Sequence, residues 1–358
     1  MKILNSSAIA DFQHNIVQWH HQQGRKDLPW QLDKTPYRVW VSEIMLQQTQ
    51  VKTVIPYYLK FMTSFPSISD LANASEDDVL HHWTGLGYYA RARNLHKSAK
   101  FIVENYAGNF PNDIEQVIQL PGIGRSTAGA ILSLSLEQPH AIVDGNVKRV
   151  LSRYFTINGH SSSASVNQLL WQYSEQLTPQ HSTAIYNQAM MDLGATICTR
   201  SKPNCQNCPI QTNCLAKQTN SQTDYPQKKP KKSIPVRTTI MVIPQINHQV
   251  LMEKRPPAGI WGGLWCFHEI SNETALTTLL AKLQLTAISK QSLPSFRHTF
   301  SHFHLDIQPL LVHCKPRHCE QINENNNNKW YDLQHQSKVG LAASTKQLLT
   351  LIASTTEE

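Results

Sequence analysis

The stretch LPGIG, residues 120–124, lies between two segments of helical periodicity, Asp113 to Gln119 and Arg125 to Leu136. Gly122 and Gly124 flank one apolar residue, so the chain can reverse tightly and its backbone can approach a ligand closely. The second helix would begin with free amide groups, which suit a phosphate. We therefore predict a helix–hairpin–helix that holds one DNA strand without reading its sequence. An ordinary helix–turn–helix corner is the alternative.

Further along the chain, four cysteines are separated by six, two and five residues: Cys198, Cys205, Cys208 and Cys214. This set matches the ligands of a [4Fe–4S] cluster, in which each iron takes one cysteine. A tetrahedral zinc site is the alternative, although zinc sites usually pair two short Cys-x2-4-Cys hooks. Arg200, Lys202 and Lys217 make the loop basic, which favours a nucleic acid as the partner.

The composition limits the class of protein. A chain of 358 residues is long enough for roughly two domains. The 33 Lys and Arg residues exceed the 25 Asp and Glu residues, so the net charge of +8 permits a polyanionic partner. No run of about 18 apolar residues predicts a membrane span, and the N-terminus lacks a signal-peptide pattern. The cysteine usage favours a reducing cytoplasm over a disulfide framework.

The pattern along the chain changes twice. Residues 1–216 are helical almost throughout, whereas residues 217–236 carry five lysines and three prolines and form a basic linker. This linker either lies along a phosphate backbone or is a mere spacer. Residues 237–358 form a smaller α+β domain, so the fold class is mainly α with a C-terminal α+β unit. In that unit we predict strands at Thr238–Pro244, Val250–Arg255 and Thr299–Asp306, and a helix at Glu273–Leu285.

The first of two notable acidic residues lies in a helical pattern. Glu43 shares a predicted helix stripe with Leu46, Gln47 and Gln50. A lone acid among apolar and amide side chains is poorly solvated, which favours its protonated form. Such a group can donate a proton to a leaving base. A solvated helix acid is the alternative.

The second acid, Asp144, lies before the segment GNVKRV, residues 145–150, where a helix N-cap is expected. Amide hydrogens at a helix start hold a carboxylate ionised, whether it is a plain cap or a catalytic group. A protonated Glu43 and an anionic Asp144 suit cleavage of an N-glycosidic bond, because a base leaves and the sugar becomes an oxocarbenium ion. Whether the two acids face each other is not visible in the sequence.

Four blocks together resemble the MutY adenine DNA glycosylases of the endonuclease III-like superfamily. They are SEIMLQQTQV (42–51), GLGYYARARNL (85–95), LPGIGRSTAGAILS (120–133) with VDGNVKRVLSR (143–153), and the cysteine loop. The resemblance covers about residues 8–215 and continues more weakly beyond. It implies a helical glycosylase that flips adenine out of a mispair with 8-oxoguanine or guanine in double-stranded DNA, at a cost of a few kcal/mol. With this resemblance we expect a cytoplasmic, nucleoid-associated monomer of bacterial type.

The resemblance also implies individual roles. Glu43 protonates the adenine ring nitrogen, and Asp144 stabilises the sugar cation, directly or through transient covalent capture, before water leaves an abasic site. Asn146 matches a polar neighbour of this anion. Lys148 either contacts a phosphate, which we favour, or traps an abasic site slowly. The adenine pocket is matched by Leu28, Trp30, Gln31, Leu46, Ser126 and Gln188. Residues that fill or wedge the base stack are matched by Gln48, Leu86 and Tyr88.

One position separates the subfamilies. Endonuclease III-type enzymes, which also cut the strand, carry a lysine nucleophile where this chain has Ser126. A hydroxyl group cannot form the Schiff base that strand scission requires, so we predict a monofunctional glycosylase. The rivals are a bifunctional endonuclease III-type enzyme and a catalytically silent iron–sulfur DNA-binding protein.

The segment LMEKRPPAGIWGGLWCFHEI, residues 251–270, resembles the Nudix-like domain at the C-terminus of the same family. The following residues, 271–285, lack the acidic box that holds magnesium, so we expect no pyrophosphatase activity. Phe300, Ser301 and His302 match the family's 8-oxoguanine-sensing loop. Metal binding by His298, His302 and His304 is a weaker alternative.

Overall fold

The computed structural model describes residues 4–229, 233–317, 327–335 and 337–355. The chain divides into two compact units, Met1–Asn73 with Asn94–Pro230, and Ala74–Arg93 with Lys231–Glu358. The predicted linker is divided between these units, and its residues 230–232 lie outside the described part. The domain limits drawn from the sequence stay a prediction.

The first unit is helical, as the apolar periodicity predicts. Several helices begin with a side-chain cap; the Asn5 side chain, for example, accepts a hydrogen bond from the Ala8 amide. The helices are α1 (Ser6–Gln23), α2 (Pro29–Leu32), α3 (Pro36–Leu46), α4 (Val51–Ser64), α5 (Ile68–Asn73), α7 (Ala90–Tyr106, from Asn94 onward), α8 (Ile114–Ile118), α9 (Arg125–Leu136), α10 (Gly145–Tyr154), α11 (Ala164–Leu177), α12 (Thr183–Asp192) and α13 (Leu215–Gln218).

The core of this unit forms because α3 presents an apolar stripe. Trp40, Val41 and Met45 on α3 are fully buried, as are Phe61 on α4 and Ile131 on α9. Burial of one large apolar side chain stabilises the fold by about 1.5–3 kcal/mol. Helix α3 packs against α9, and α12 packs against α1 and α9. The helix that carries Glu43 is thereby fixed against the helix that follows the glycine hairpin.

Helix α12 ends at Asp192 in an irregular turn. The chain continues into a single π-helical turn, Leu193–Ile197, immediately before Cys198. The Thr196 hydroxyl group donates to the Asp192 carbonyl at 2.8 Å within this turn. Such π turns are rare and often lie at functional sites. Here the turn directs the chain from α12 into the cysteine loop.

The second unit contains helix α6 (Glu76–Trp83) and an eight-stranded sheet. The central strand order is β3–β2–β1–β7–β5; β1 and β7 are parallel, whereas β4 pairs with β1, β6 with β7 and β8 with β2. Leu276 and Leu280 of α14 pack on the sheet beside Val242 and Val312. The elements are β1 (Val236–Ile246), β2 (Gln249–Lys254), β3 (Trp265–Cys266), β4 (His268–Ile270), α14 (Thr274–Lys282), β5 (Leu285–Ser292), β6 (Phe296–Thr299), β7 (His304–Pro316), β8 (Asn328–Asp332) and α15 (Ala343–Thr355).

The predicted α+β character is confirmed, but the predicted strand Thr299–Asp306 is wrong. The chain leaves β6 at Thr299, turns, and enters β7 at His304. The Phe300 amide donates to the Phe303 carbonyl at 2.9 Å and closes the turn. The adjacent polar residues Ser301 and His302 break the alternation of apolar and polar residues, and they lie in this turn.

None of the helices in the described ranges combines the length and the apolar character needed to cross a bilayer.

Candidate active site and metal centre

The glycine hairpin has the predicted structure. Helices α8 and α9 lie on either side of it, and no side chain caps α9 at Gly124. Gly122 has a φ of 81°, and a Cβ atom there would lie 3.0 Å from the Asn94 side chain. Around Gly124, by contrast, a Cβ atom would meet nothing within 4 Å. The first amide groups of α9 therefore lie at an open surface, which suits a phosphate.

Glu43 lies on α3, but the predicted stripe through Gln47 and Gln50 is wrong. The helix ends at Leu46, and Gln48 has a left-handed φ of 58°. Gln50 is already the N-cap residue of α4. Glu43 and Leu46, both partly buried, remain on the helix near its end, while Gln48 is exposed.

The surroundings of Glu43 favour its neutral form. Burial, and in second place the charge of Asp144, raise the pKa of Glu43 to about 8. Glu43 therefore keeps its proton at neutral pH. The charge of Asp144 thus acts on Glu43, so the two acids lie near each other in the fold. The assignment of Glu43 as a proton donor stays a prediction.

Asp144 is the N-cap residue of α10, as predicted. Its Oδ1 accepts hydrogen bonds from the amides of Asn146 at 3.0 Å and Val147 at 2.7 Å. The Asn146 Nδ2 atom donates to Oδ2 at 2.9 Å. Both oxygen atoms are thus held by donors, so the carboxylate has a fixed orientation.

Ser126 fixes the chain segment that leads into Asp144. The Val143 amide donates to the Ser126 hydroxyl oxygen at 3.0 Å. Since Ser126 lies in the first turn of α9, this bond joins the glycine hairpin to the Asp144 segment. Lys148, on α10 in the turn after Asp144, is partly buried and makes no ion pair among the described residues.

Arg149 joins the Asp144 region to the cysteine loop. Its Nη2 atom donates to Asn146 Oδ1 at 2.8 Å and to the Gly194 carbonyl at 2.5 Å. Its Nε atom donates to the Cys198 carbonyl at 2.7 Å. One guanidinium group therefore contacts the residue that holds Asp144 and the first cysteine of the loop.

The cysteine loop surrounds one cavity. All four cysteines line it, together with apolar residues such as Val150 and Leu193. Arg153 is only 2% exposed, and its Nη1 atom lies 3.3 Å from the Cys198 sulfur. The same guanidinium group donates to the carbonyls of Thr199, Arg200 and Tyr225. Within the described residues, no group of three or more His, Cys, Asp or Glu side chains converges as ligands of a metal ion do.

The residues matched to the adenine pocket lie in the same unit. Leu28 and Trp30 are buried, and the Trp30 ring meets the Tyr58 ring edge-on at 5.3 Å. The Leu28 amide donates to Gln31 Oε1 at 3.2 Å. Gln188, on α12, is partly buried and donates to Asp192. Their common contact with a base stays a prediction.

In the second unit, the loop from Thr84 to Tyr88 contains two residues matched to the base stack. Leu86 is buried, whereas Tyr88 is 50% exposed and has a left-handed φ of 50°. The Arg91 guanidinium group donates to the carbonyls of Leu86 and Gly87 and lies 5.5 Å from the Tyr88 ring centre. Tyr88 is therefore the side chain that this loop presents to solvent.

The residues matched to the lesion-sensing loop form the turn between β6 and β7. The Phe300 ring packs against Phe303 at 4.6 Å, against His298 at 4.6 Å and against Trp261 at 5.3 Å. We call these four side chains the aromatic cluster. Ser301 and His302, in contrast, are exposed at the tip of the turn. Among the described residues, His298, His302 and His304 do not come together as the ligands of a metal ion would.

Sequence reasoning missed Arg25, Arg149, Arg153 and Asp192. Asp192 and Arg153 are almost fully buried, although charged residues are rarely found there unless they are paired. A signal was present for the two arginines on α10, which are four residues apart and share a helix face. Asp192 carried no such local signal, because its partners lie far away in the chain.

Comparison with known proteins places these features in a family. The chain matches the family model of the HhH-GPD superfamily base excision DNA repair proteins over residues 41–176, and that of the NUDIX domain over residues 239–351. It is 43% identical to the adenine DNA glycosylase of Buchnera aphidicola subsp. Acyrthosiphon pisum, over 94% of this chain and 96% of that protein. These matches confirm the predicted helix–hairpin–helix and Nudix-like fold classes.

Two solved structures are also similar. One, a thermostable thymine-DNA glycosylase, has a TM-score of 0.54 and 27% identity, covering 60% of this chain and 98% of that chain. The other, endonuclease III in a non-covalent DNA complex, has a TM-score of 0.52 and 19% identity, covering 61% and 99%. The second likeness concerns the fold alone.

Proposed function

The chain belongs to the adenine DNA glycosylase family, and is therefore a DNA N-glycosylase of base excision repair; on this premise we propose that it removes adenine mispaired with 8-oxoguanine or guanine. The observation that carries the proposal is the raised pKa of Glu43, to which burial and, in second place, the charge of Asp144 contribute. A neutral acid and a fixed carboxylate supply the proton and the negative charge that cleavage of an N-glycosidic bond needs.

In the first step Glu43 donates its proton to a ring nitrogen of the extruded adenine. The bond between the sugar C1′ and the base nitrogen then breaks, and its electron pair leaves with the protonated base. A pKa of about 8 keeps the donor loaded at neutral pH and leaves it acidic enough to release the proton. General acid catalysis of this kind contributes about 10²–10⁴-fold to the rate.

In the second step Asp144 stabilises the positive charge on the sugar. Its orientation is fixed by Asn146 and Val147, so no reorganisation is needed when the charge develops. Water then adds its oxygen to C1′, its proton passes to a carboxylate, and an abasic site remains. The loop that carries Asp144 is anchored by the bond between Val143 and Ser126.

We propose that no strand cleavage accompanies base release. Ser126 has a hydroxyl group that already accepts a hydrogen bond, and it cannot form a Schiff base with the opened sugar. Lys148 is the nearest amine in the chain to Asp144, and we assign it to a phosphate contact. The product is then an abasic site that only later treatment converts into a break.

The four cysteines fit a [4Fe–4S] cluster, because all of them line one cavity and a guanidinium group approaches one sulfur. We propose that Cys198, Cys205, Cys208 and Cys214 hold it. When bound, the cluster supplies iron–sulfur bonds that tie the loop together. Arg149 and Arg153 would hold the backbone around it through the carbonyls that they contact.

Binding of duplex DNA is assigned to three surfaces. Gly122 and Gly124 open the amides of α9 to a phosphate, and Tyr88 is presented to the base stack. Ser301 and His302 are assigned to the base opposite the adenine. We further propose that the protein acts as a cytoplasmic monomer.

The test is direct detection of the released base. Purified protein is incubated in single-turnover conditions with duplexes that hold adenine opposite 8-oxoguanine, guanine or thymine, and the supernatant is analysed by mass spectrometry. We expect free adenine from the first two duplexes and little from the third. Glu43→Gln is the matched control and should bind the duplexes without releasing a base. Equal release from all three duplexes would contradict the proposed specificity.

A further inference from the structure

Asp192, the last residue of α12, is a buried charge with a dense set of partners. It is only 1% exposed. Its Oδ1 accepts from Arg25 Nε at 2.9 Å and Arg25 Nη2 at 2.5 Å, and its Oδ2 accepts from the Arg25 amide at 2.8 Å. The His20 Nε2 atom lies 3.6 Å from Oδ2. A buried carboxylate needs such partners, because desolvation of an ion costs several kcal/mol.

The charged form of Asp192 is the stable one. Burial alone would raise the pKa of Asp192, but His20 and the Arg25 guanidinium group outweigh it and hold the pKa below its usual value. Asp192 is therefore only a hydrogen-bond acceptor at neutral pH.

Gln188, one helical turn earlier on α12, is the remaining partner. Its Nε2 atom donates to Asp192 Oδ1 at 3.0 Å. The opposite orientation of the amide would place Gln188 Oε1 against a carboxylate, with two acceptors facing each other. Asp192 thus decides which end of the amide is fixed. No described residue donates a hydrogen bond to Oε1, and Gln188 is only partly buried, so this oxygen remains for a ligand.

We propose that Asp192 is a positioning residue for base selection, which holds the Gln188 amide so that its carbonyl oxygen meets the 6-amino group of adenine. This inference rests on the proposed function, in which Gln188 lines the adenine pocket. Glutamine pairs with adenine because the base offers a donor at N6, whereas guanine and hypoxanthine carry an acceptor oxygen at that position. A fixed carbonyl oxygen therefore accepts adenine and repels a 6-oxopurine.

The same carboxylate acts on the other side of the pocket. Arg25 precedes Leu28 by three residues, and its backbone amide and side chain are both bonded to Asp192. Asp192 therefore also anchors the segment that leads to Leu28 and Trp30. One buried charge fixes two parts of the predicted pocket that are more than 160 residues apart in the chain.

The test compares bases that differ at position 6. Single-turnover release of adenine and of hypoxanthine is measured opposite the same base, and their ratio is compared between variants. The double variant Arg25→Met, Asp192→Leu replaces the buried ion pair by apolar side chains, a change that folded proteins often tolerate. Without Asp192, either end of the amide can face the base. We expect the adenine-to-hypoxanthine ratio to fall about ten-fold, the worth of one well-placed hydrogen bond.

His20→Gln is the matched control, because it removes a partner of Oδ2 and leaves Gln188 on Oδ1. The ratio should stay at its wild-type value, although the stability of the fold falls. In a Gln188→Met background, the double substitution should change the ratio much less than it does with Gln188 present, because the amide through which it selects the base is gone. An unchanged ratio in the double variant, with Gln188 present, would overturn the inference.

Different results would refute the role of Asp192 and the proposed function. Wild-type protein that releases no adenine would refute the proposed function. If the preference for adenine over hypoxanthine disappears in Gln188→Met but persists in the double variant, only the role of Asp192 is refuted. Should the double variant not fold, hydrogen exchange of the Gln188 side-chain amide is measured in the wild-type protein with ¹⁵N-labelled glutamine. The Gln188 amide proton facing Asp192 should exchange slowly with water, and fast exchange of both protons would overturn the inference.

Discussion

At the scale of single residues, Glu43 shows how burial sets a chemical role. Its pKa of about 8 keeps the proton in place at neutral pH. We predict that single-turnover excision is independent of pH around neutrality and falls about ten-fold per pH unit above about 8, because the ionised form cannot donate. A pH series of excision rates checks this. A rate that rises steadily up to pH 9 would remove Glu43 as the acid.

The same residue affects stability. The pKa of Glu43 in the fold exceeds the ordinary value of 4.5, so its favourable contribution is complete below pH 4.5 and is lost as the pH rises towards 8. We predict that Glu43→Gln, which cannot ionise, is more stable than the wild type at pH 8 by roughly 1–3 kcal/mol. Thermal unfolding at pH 5 and pH 8 measures this. A difference that does not grow between these pH values would contradict the assigned pKa.

Some of this site was predictable from residues alone. The N-cap position of Asp144 follows from local sequence, and so does the poor solvation of Glu43. The effect of Asp144 on Glu43 could not be predicted, because α3 and α10 are far apart in the chain and only tertiary packing brings them near each other. Asp192 was missed for the same reason, since its partner Arg25 lies far away in the chain.

At the scale of elements, α10 links the Asp144 region to the cysteine loop through Arg149. We predict that Arg149→Gln lowers the excision rate about 10–100-fold, because Asn146 and the Cys198 carbonyl lose a shared donor. Single-turnover rates at saturating protein measure the effect. Lys148→Gln, on the neighbouring position, is the control and should weaken DNA binding with little change in that rate. Wild-type excision by Arg149→Gln would show that the link has no catalytic consequence.

The turn between β6 and β7 depends on its aromatic cluster. We predict that Trp261→Ala loosens Phe300 and reduces the preference for 8-oxoguanine over guanine up to about ten-fold, because aromatic contacts of about 0.5–1.5 kcal/mol are lost. Excision rates opposite the two bases measure the preference, and Trp261→Phe should retain it. A preference that is unchanged in Trp261→Ala would separate the cluster from lesion sensing.

The limits of helices α8 and α9 and the start of α10 were visible in the sequence, because glycine, aspartate and helical periodicity agree there. The end of α3 was not, since Gln47 and Gln50 continue the pattern while Gln48 adopts a left-handed backbone. The strand predicted at Thr299–Asp306 overlooked the adjacent polar residues Ser301 and His302, which lie in a turn that one backbone hydrogen bond closes.

At the scale of the whole molecule, the chain joins a helical repair unit to a Nudix-like sheet. Composition and motifs predicted both fold classes. The assignment of residues 74–93 to the second compact unit was beyond sequence reasoning, because this segment has the helical character of its neighbours.

The metal content of the purified protein tests whether the four cysteines hold an iron–sulfur cluster. We predict about four irons and four sulfides per chain in the purified protein, and loss of the visible iron–sulfur absorbance in Cys205→Ser, because a hydroxyl group is a poor substitute for a thiolate ligand. Metal and sulfide analysis measures this, with Cys314→Ser as the control cysteine outside the loop. One zinc ion per chain and no sulfide would establish the alternative zinc site.

The central claim is hydrolytic excision of adenine by Glu43 and Asp144 without strand cleavage. The most direct measurement is a single-turnover incubation with a duplex that holds one adenine opposite 8-oxoguanine, divided before gel analysis into samples with and without hot alkali. We predict strand breaks only after alkali in the wild type, and none in Glu43→Gln under either condition. Strand breaks without alkali, or an intact wild-type substrate after alkali, would contradict the account.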